Sequence, residues 1–340
     1  MVKISFIGNI WGTPKGHSYV MKDMVKILKT EGHDISMYRI LNNQPLPDFP
    51  TIDNLKTEPT RQITKENFEM WLDEVKPDWC VFMEYCQWWE EDHDKLQICK
   101  DRGIKTTGML VLEKLNWDKL DHYKLYTKII TPTEYQSKLQ RSHGLYNTVY
   151  TPWGIDLKEI DKVPNPNMIK TKLRFFHCAG SGGVGDRKNT EAVIKAYKQI
   201  QDATTDLKIT HLNSKVFSRE EIIGFMKYAD VLINASKWDT IGLNTLEANA
   251  CGIPAIVSDA GPMNDLVQNQ VNGFVVGGVV GTNENVTCPS FEVDVDALAT
   301  KMSLCKNKMI LEVLKRNSRK AAETRFNWDI NKKEILKVFS

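Results

Sequence analysis

Asp239 and Glu247 stand eight residues apart in "KWDTIGLNTLEANACGIPAIVS" (237–258), on either side of Gly242 and just ahead of an apolar run of strand length. Leu243, Leu246, Glu247 and Ala250 fall at i, i+3, i+4 and i+7, which is one face of a helix. A carboxylate on a face that must be covered is costly unless donors reach it, from protein groups or from ligand hydroxyls. Asp239 precedes the same helix and can cap it, with Thr240 as competitor.

The cations that could answer these acids lie upstream. In "AGSGGVGDRKN" (179–189), Gly180, Gly182 and Gly185 match Gly-x-Gly-x-x-Gly, and Arg187 and Lys188 stand at the mouth of a helix opening near Asn189. Glycines let backbone approach a phosphate, helix amides point at it and two cations neutralise it, so the loop suits a diphosphate or, failing that, is a tight turn with solvated charges. A dinucleotide site would also need an acid ending the next strand, where "LKITHLN" (207–213) ends in Asn213; a nicotinamide dehydrogenase is therefore a distant reading. A second glycine-bearing loop, "GNIWGTPKGHS" (8–18), lacks the Gly-Lys-Ser/Thr ending of a triphosphate loop because His17 follows Gly16.

Other chemistries find less support. The Asp-x-Asp pairs Asp92/Asp94 and Asp294/Asp296 read as a solvated charge run and as helix caps, and the seven histidines show no pair at metal-ligand spacing. There is no Gly-x-Ser-x-Gly nucleophile turn, and no metal or other cofactor is expected. The net charge of +2 sets up no field for nucleic acid. The basic stretch 315–337 reads as solvated surface, with weak peripheral attraction to anionic lipid as its alternative. No apolar run approaches the roughly 20 residues that cross a bilayer, and the seven cysteines form no Cys-x-x-Cys pair. A cytoplasmic chain with reduced core thiols is the expectation.

The elements that must position these residues alternate in type. Strands at 3–9, 34–40, 78–84, 105–112, 128–133 and 148–156 interleave with helices at 18–33, 64–75, 90–102 and 134–142. After a polar, proline-bearing linker at 162–172, strands at 173–180, 207–213, 230–236, 254–259 and 273–276 alternate with helices at 189–201, 218–229, about 241–251 and 294–305, and a helical region at 309–339 follows. The pattern predicts an α/β fold of two Rossmann-like, doubly wound parallel-sheet domains facing a central cleft. The expected boundaries are 1–163, 164–322, and a C-terminal helix at 323–340 that packs back on the first domain.

"DTIGLNTLEANACGIPAIVSDAGPMNDLVQNQVNGFVV" (239–276) resembles the signature of the retaining group 1, or family 4, glycosyltransferases of the GT-B fold: an acid, seven residues, Glu, Gly-x-Pro, a strand, and a Gly-Pro turn leading to Asn-Gly-Phe. "GHSYVMKDMVKILKTEGHDI" (16–35), "YTPWGID" (150–156), "KNTEAVIKAY" (188–197) and "RFNWDI" (325–330) resemble further landmarks in the same order. The resemblance implies metal-independent transfer of a sugar from a nucleoside-diphosphate sugar to a glycan or glycolipid acceptor. In that reading Glu247 accepts hydrogen bonds from ribose hydroxyls, so that a nucleotide and not a protein side chain supplies its donors.

The same resemblance assigns the diphosphate to Arg187, Lys188 and amides around Ile241, Gly242, Leu243 and Asn244, and donor-sugar hydroxyls to Asp239. It makes Asp239, Lys188 and Arg187 the catalytic set, gives Gly12 and Gly16 a loop closing over the substrates, and puts His17, Glu84 and Trp88 on the acceptor side. Three departures stand out: Asp239 replaces a more usual Glu, Gly182 replaces a common basic residue, and "TTGMLVLEKLN" (106–116) lacks a common histidine. A nucleotide-sugar epimerase of the same fold and a catalytically degenerate nucleotide-sugar-binding module are the alternatives.

Overall fold

The computed structural model describes residues 1–8, 16–40, 49–60, 62–83, 85–88, 93–166, 171–179, 186–210, 217–282 and 286–340, with backbone only at Cys86 and Trp88. Two compact units divide the chain. The first comprises Met1–Pro132, Gln136–Thr151 and Lys332–Ser340; the second comprises Thr133–Tyr135 and Pro152–Asn331.

The first unit is built on seven parallel strands: β1 (Lys3–Gly8), β2 (Asp34–Ile40), β3 (Asn54–Glu58), β4 (Trp79–Met83), β5 (Lys105–Met109), β6 (Lys128–Thr131) and β7 (Thr148–Tyr150), in the order β3-β2-β1-β4-β5-β6-β7. The central strands read as continuous apolar runs because both faces are covered; every residue of β4 is buried. β3, "NLKTE", lies outside the expected strands. It is a partly exposed edge strand with no apolar alternation, so pairing with β2 and not its own side chains makes it extended. The last residues of the chain belong to this unit: Phe339 meets Trp79 edge to face at 5.5 Å, and Lys128 Nζ donates to the carbonyls of Lys337 and Val338.

The second unit holds five parallel strands, β8 (Leu173–Cys178), β9 (Thr205–Thr210), β10 (Val231–Asn234), β11 (Ala255–Ser258) and β12 (Gly273–Val276), ordered β12-β11-β10-β8-β9. Its core packs Phe175, Val231, Ile233 and Ile256 against Val193, Ala196, Leu298 and Met302 from the flanking helices. An antiparallel pair absent from the expected pattern, β13 (Gly278–Gly281) and β14 (Ser290–Val293), follows β12. Asp294 caps the helix Val295–Leu304 by accepting from the Ala297 amide, and Asp296 accepts from Gln199, so this acid pair is engaged within the protein.

The unit opens earlier than the linker predicts. Residues 152–163 belong to it, because two distant landmarks close on each other: Ile155 bridges Asn327, its amide donates to the Phe326 carbonyl, and Trp153 meets Trp328 edge to face at 4.7 Å. Gly154 is required at this contact, since a Cβ there would lie 2.9 Å from the Trp328 backbone nitrogen and side chain.

Candidate nucleotide-sugar site

Strand order brings Arg187, Lys188 and Asp239, three of the predicted donor residues, together within the second unit. β8 and β10 are neighbours, so the loops leaving their carboxyl ends, which carry Arg187 and Lys188 on one side and Ser236 to Gly242 on the other, run side by side. The Lys237 amide donates to the Arg187 carbonyl at 2.8 Å and ties the loops together.

Asp239 is the hub. Its Oδ2 accepts from Lys188 Nζ at 2.7 Å and from Arg187 Nη1 at 3.1 Å, and its Oδ1 accepts from the amides of Thr240, Gly242 and Ile241 at 2.8, 3.2 and 3.3 Å. Gly242 makes this turn possible: its φ of +77° is left-handed, and a Cβ would stand 2.8 Å from Leu266. The helix Leu243–Ala250 starts there. Burial opposes the charge on Asp239, but Lys188, then Arg187 and the donated hydrogen bonds, outweigh it and hold the carboxyl well below the usual range. The aspartate is therefore ionised at neutral pH.

Lys188 is buried, and its Nζ also donates to Ser236 Oγ at 3.2 Å. Burial lowers its pKa, Arg187 lowers it further, and Asp239 pulls the other way. A chain of polar side chains fixes it from beneath: Ser236 Oγ donates to Asn234 Oδ1, and Asn234 Nδ2 donates to Thr245 Oγ1 in the helix Leu243–Ala250. Beside it, His177 Nδ1 donates to the Ile233 carbonyl at 2.9 Å, which leaves Nε2 to accept from Thr190 Oγ1. Burial pushes this imidazole down to about 4.

Glu247 is buried on the helix face that the spacing predicts. The expectation that no protein side chain supplies its donors is corrected: Arg219 Nε donates to its Oε1 at 2.9 Å. Burial raises the Glu247 pKa, with Arg219 opposing the shift. Arg219 is the first residue of the helix Arg219–Tyr228, whose start is set by a capping box between Ser218 and Glu221. Among the described residues Glu247 Oε2 accepts no hydrogen bond, so the carboxylate keeps one oxygen for another donor.

Ile241 to Asn244 lie at the start of the same helix, and the Gly242 amide is already turned onto Asp239. Gly16 and His17 open the helix Gly16–Thr30 of the first unit. Gly12, Glu84, the side chain of Trp88 and the glycines 180, 182 and 185 lie outside the described residues. Sequence reading misses Arg219, Ser236 and Asn234. The Ser-x-x-Glu capping signature marks the helix start beside Arg219, but nothing local points to a partner 28 residues away.

This fold and site define a class: the two α/β units have the GT-B architecture of glycosyltransferases. The chain superposes on sucrose-phosphate synthase of Thermosynechococcus elongatus with a TM-score of 0.75, at 15% identity and covering 100% of this chain and 98% of that one. It superposes on Anabaena HepE, solved with UDP and glucose, with a TM-score of 0.71 at 14% identity, covering 99% of each. At such identity the likeness is one of fold.

Residues 205–279, which include Arg219, Asp239 and Glu247, match the family model "Glycosyl transferases group 1". The group 1 part of the resemblance drawn from the acid-x7-Glu block thus holds where the model covers it. A GDP-mannose-dependent α-(1-6)-phosphatidylinositol dimannoside mannosyltransferase of Mycobacterium tuberculosis is 24% identical over 168 residues, 42% of this chain and 43% of that relative. The matched part is less than half the length of that relative.

Proposed function

We propose that this protein is a group 1 glycosyltransferase, which moves a sugar from a nucleoside-diphosphate sugar to a saccharide or lipid-linked acceptor with retention of configuration and without a metal. The observation that carries the proposal is the convergence of Arg187, Lys188 and Asp239 after β8 and β10, with Glu247 on the helix that follows, inside and beside the stretch that matches the family model.

In this reading the ribose hydroxyls donate to Glu247 Oε2, which faces no competing protein donor among the described residues. Breaking the sugar–phosphate bond develops negative charge on the leaving diphosphate and positive charge on the sugar. Lys188 and Arg187 stand ready to stabilise the former, with amides at the start of the helix Leu243–Ala250. Retention follows if the acceptor hydroxyl attacks the face that the phosphate leaves and passes its proton to that phosphate; no protein nucleophile is then needed. No disulfide joins the described cysteines, which supports the cytoplasm as the compartment.

The relatives' names point to two bases, GDP in the mannosyltransferase and UDP in the HepE complex. Thermal-shift titration with UDP, GDP, ADP and their sugars tests the proposal, because a ligand of the native state raises its melting temperature. One nucleotide should raise the wild-type melting temperature, and Glu247→Ala and Lys188→Ala should each remove that response and the transfer activity while remaining folded. Normal turnover in both variants would refute the assignment. A binding module without turnover is the second reading, favoured by the engagement of both Asp239 oxygens by protein groups; it predicts nucleotide binding with no transfer or donor hydrolysis.

A further inference from the structure

Asp239 receives five N–H groups on two oxygens: two cationic side chains on Oδ2 and three backbone amides on Oδ1. An ionised carboxyl has about four lone-pair sites, so this one is saturated by the protein. A sugar hydroxyl could donate to it only by displacing a charge-assisted bond or a backbone amide. Glu247, by contrast, has one oxygen engaged and one open among the described residues.

Side-chain length explains the difference. A carboxylate one methylene from the backbone folds onto the amides one to three residues ahead, the local turn that aspartate favours. Asp239 thus turns back onto its own loop and lays its second oxygen against Lys188 and Arg187.

Charge balance then sets the consequence. Two cations face one carboxylate, and the side chains of all three are largely shielded from water, at 9%, 21% and 14% exposure for Lys188, Arg187 and Asp239. A diphosphate brought to the same cations would meet the carboxylate's charge within the same shell, so one anion must give way to the other or bear the repulsion. The carboxylate takes one of the three N–H donors of Lys188 and one of the five of Arg187, so a phosphate oxygen would share these cations with it.

Building on the proposed donor site, we propose that Asp239 is an internal counter-anion for the cation pair, a positioning residue that holds Lys188 and Arg187 in place and competes with the donor's diphosphate, and is not a reader of the donor sugar. Its effect is on the occupancy of the site: it keeps buried Lys188 and partly exposed Arg187 paired when no donor is bound, and it weakens retention of the nucleoside diphosphate product.

The test compares the affinities of UDP, GDP, UDP-glucose and GDP-mannose for the wild type, Asp239→Asn and Asp239→Glu by calorimetry. Asp239→Asn removes the charge at constant size and should bind the nucleoside diphosphate about tenfold tighter, the scale expected when one competing charge is removed from a paired site. The sugar nucleotide should gain equally, leaving the ratio of the two affinities unchanged. Asp239→Glu keeps the charge and should show no such gain.

A merely structural role would not tighten binding, and a sugar-reading role would weaken the sugar nucleotide alone. Unchanged or weaker diphosphate binding by Asp239→Asn overturns the inference, as does selective loss of the sugar nucleotide or an equal gain in Asp239→Glu. Should Asp239→Asn be unfolded by itself, the readout becomes recovery of folded protein on adding the nucleoside diphosphate, and failure to recover overturns the inference. If the wild type and both variants bind none of the four nucleotides, the donor-site reading itself falls.

Discussion

Replacing Arg219 with glutamine separates what holds Glu247 in the fold from what it offers a ligand. Arg219 and Glu247 side chains are 15% and 7% exposed and meet through a 2.9 Å charge-assisted bond. Removing one partner of a fully buried pair costs about 3–5 kcal/mol, and the residual exposure of Arg219 brings the expected loss to about 2–3 kcal/mol. In a unit of roughly 180 residues this lowers the melting temperature by roughly 4–12 °C. Glu247→Gln should cost less, because its amide oxygen still accepts from Arg219, and the double variant should be less destabilised than the sum of the two by about 1–2 kcal/mol.

Thermal melting of these four proteins and of Glu247→Ala, with and without the nucleoside diphosphate that binds the wild type, measures both effects. If Oε2 is the ribose acceptor, Arg219→Gln keeps its nucleotide affinity within about threefold, whereas loss of hydrogen bonds to a charged acceptor in Glu247→Ala costs roughly 10–100-fold. A melting temperature for Arg219→Gln within a degree of the wild type would refute the ion-pair argument. Equal loss of nucleotide affinity in Arg219→Gln and Glu247→Ala would refute the division of labour between the two oxygens.

Three further outcomes follow from named contacts. His177 is neutral in the fold with its pKa near 4, against an ordinary 6.5, so the unfolded chain binds the extra proton between these values. Stability from this group is complete above pH 6.5 and lost as pH falls toward 4, by up to about 3 kcal/mol; denaturant titrations of His177→Gln should show a flatter dependence across that window. Gly154→Ala should lower the melting temperature of the second unit, because its Cβ would meet backbone and ring atoms of Trp328 at 2.9 Å; overpacking of this kind costs about 1–3 kcal/mol. Ser236→Ala removes a bond that orients Lys188 and should weaken nucleoside diphosphate binding several-fold with little change in melting temperature, whereas Ser258→Ala, whose hydroxyl donates to the Ser236 carbonyl, should leave that affinity unchanged.

Most of the fold is legible in the sequence because its signals are local. The apolar runs that become β1, β2, β4, β8 and β10 and the glycine that turns the chain at 242 can be read from a few neighbouring residues. The elements that sequence reading misses, β3 and the β13–β14 pair, have weak patterns of their own; β3 takes its extended form from β2, and Val279 and Val280 lie exposed on the hairpin. The position of Glu247 on a covered face is likewise local, since helical periodicity alone puts it there.

By itself, then, the sequence determined the alternating architecture, the acid-x7-Glu block and its two upstream cations, because backbone hydrogen bonding and side-chain periodicity act over a turn or a strand. The tertiary structure decided who meets whom. Only the order β12-β11-β10-β8-β9 lays the loop after β10 against the loop after β8, so that Asp239 takes Lys188 and Arg187 as partners across some fifty residues of chain. Only helix packing delivers Arg219 to Glu247, and only the approach of Trp328 makes Gly154 indispensable. Ion pairs and close contacts depend on positions in space, which no local pattern carries, and here they separate two acids that look alike in the sequence: one closed upon its own cations, the other bonded through one oxygen to Arg219.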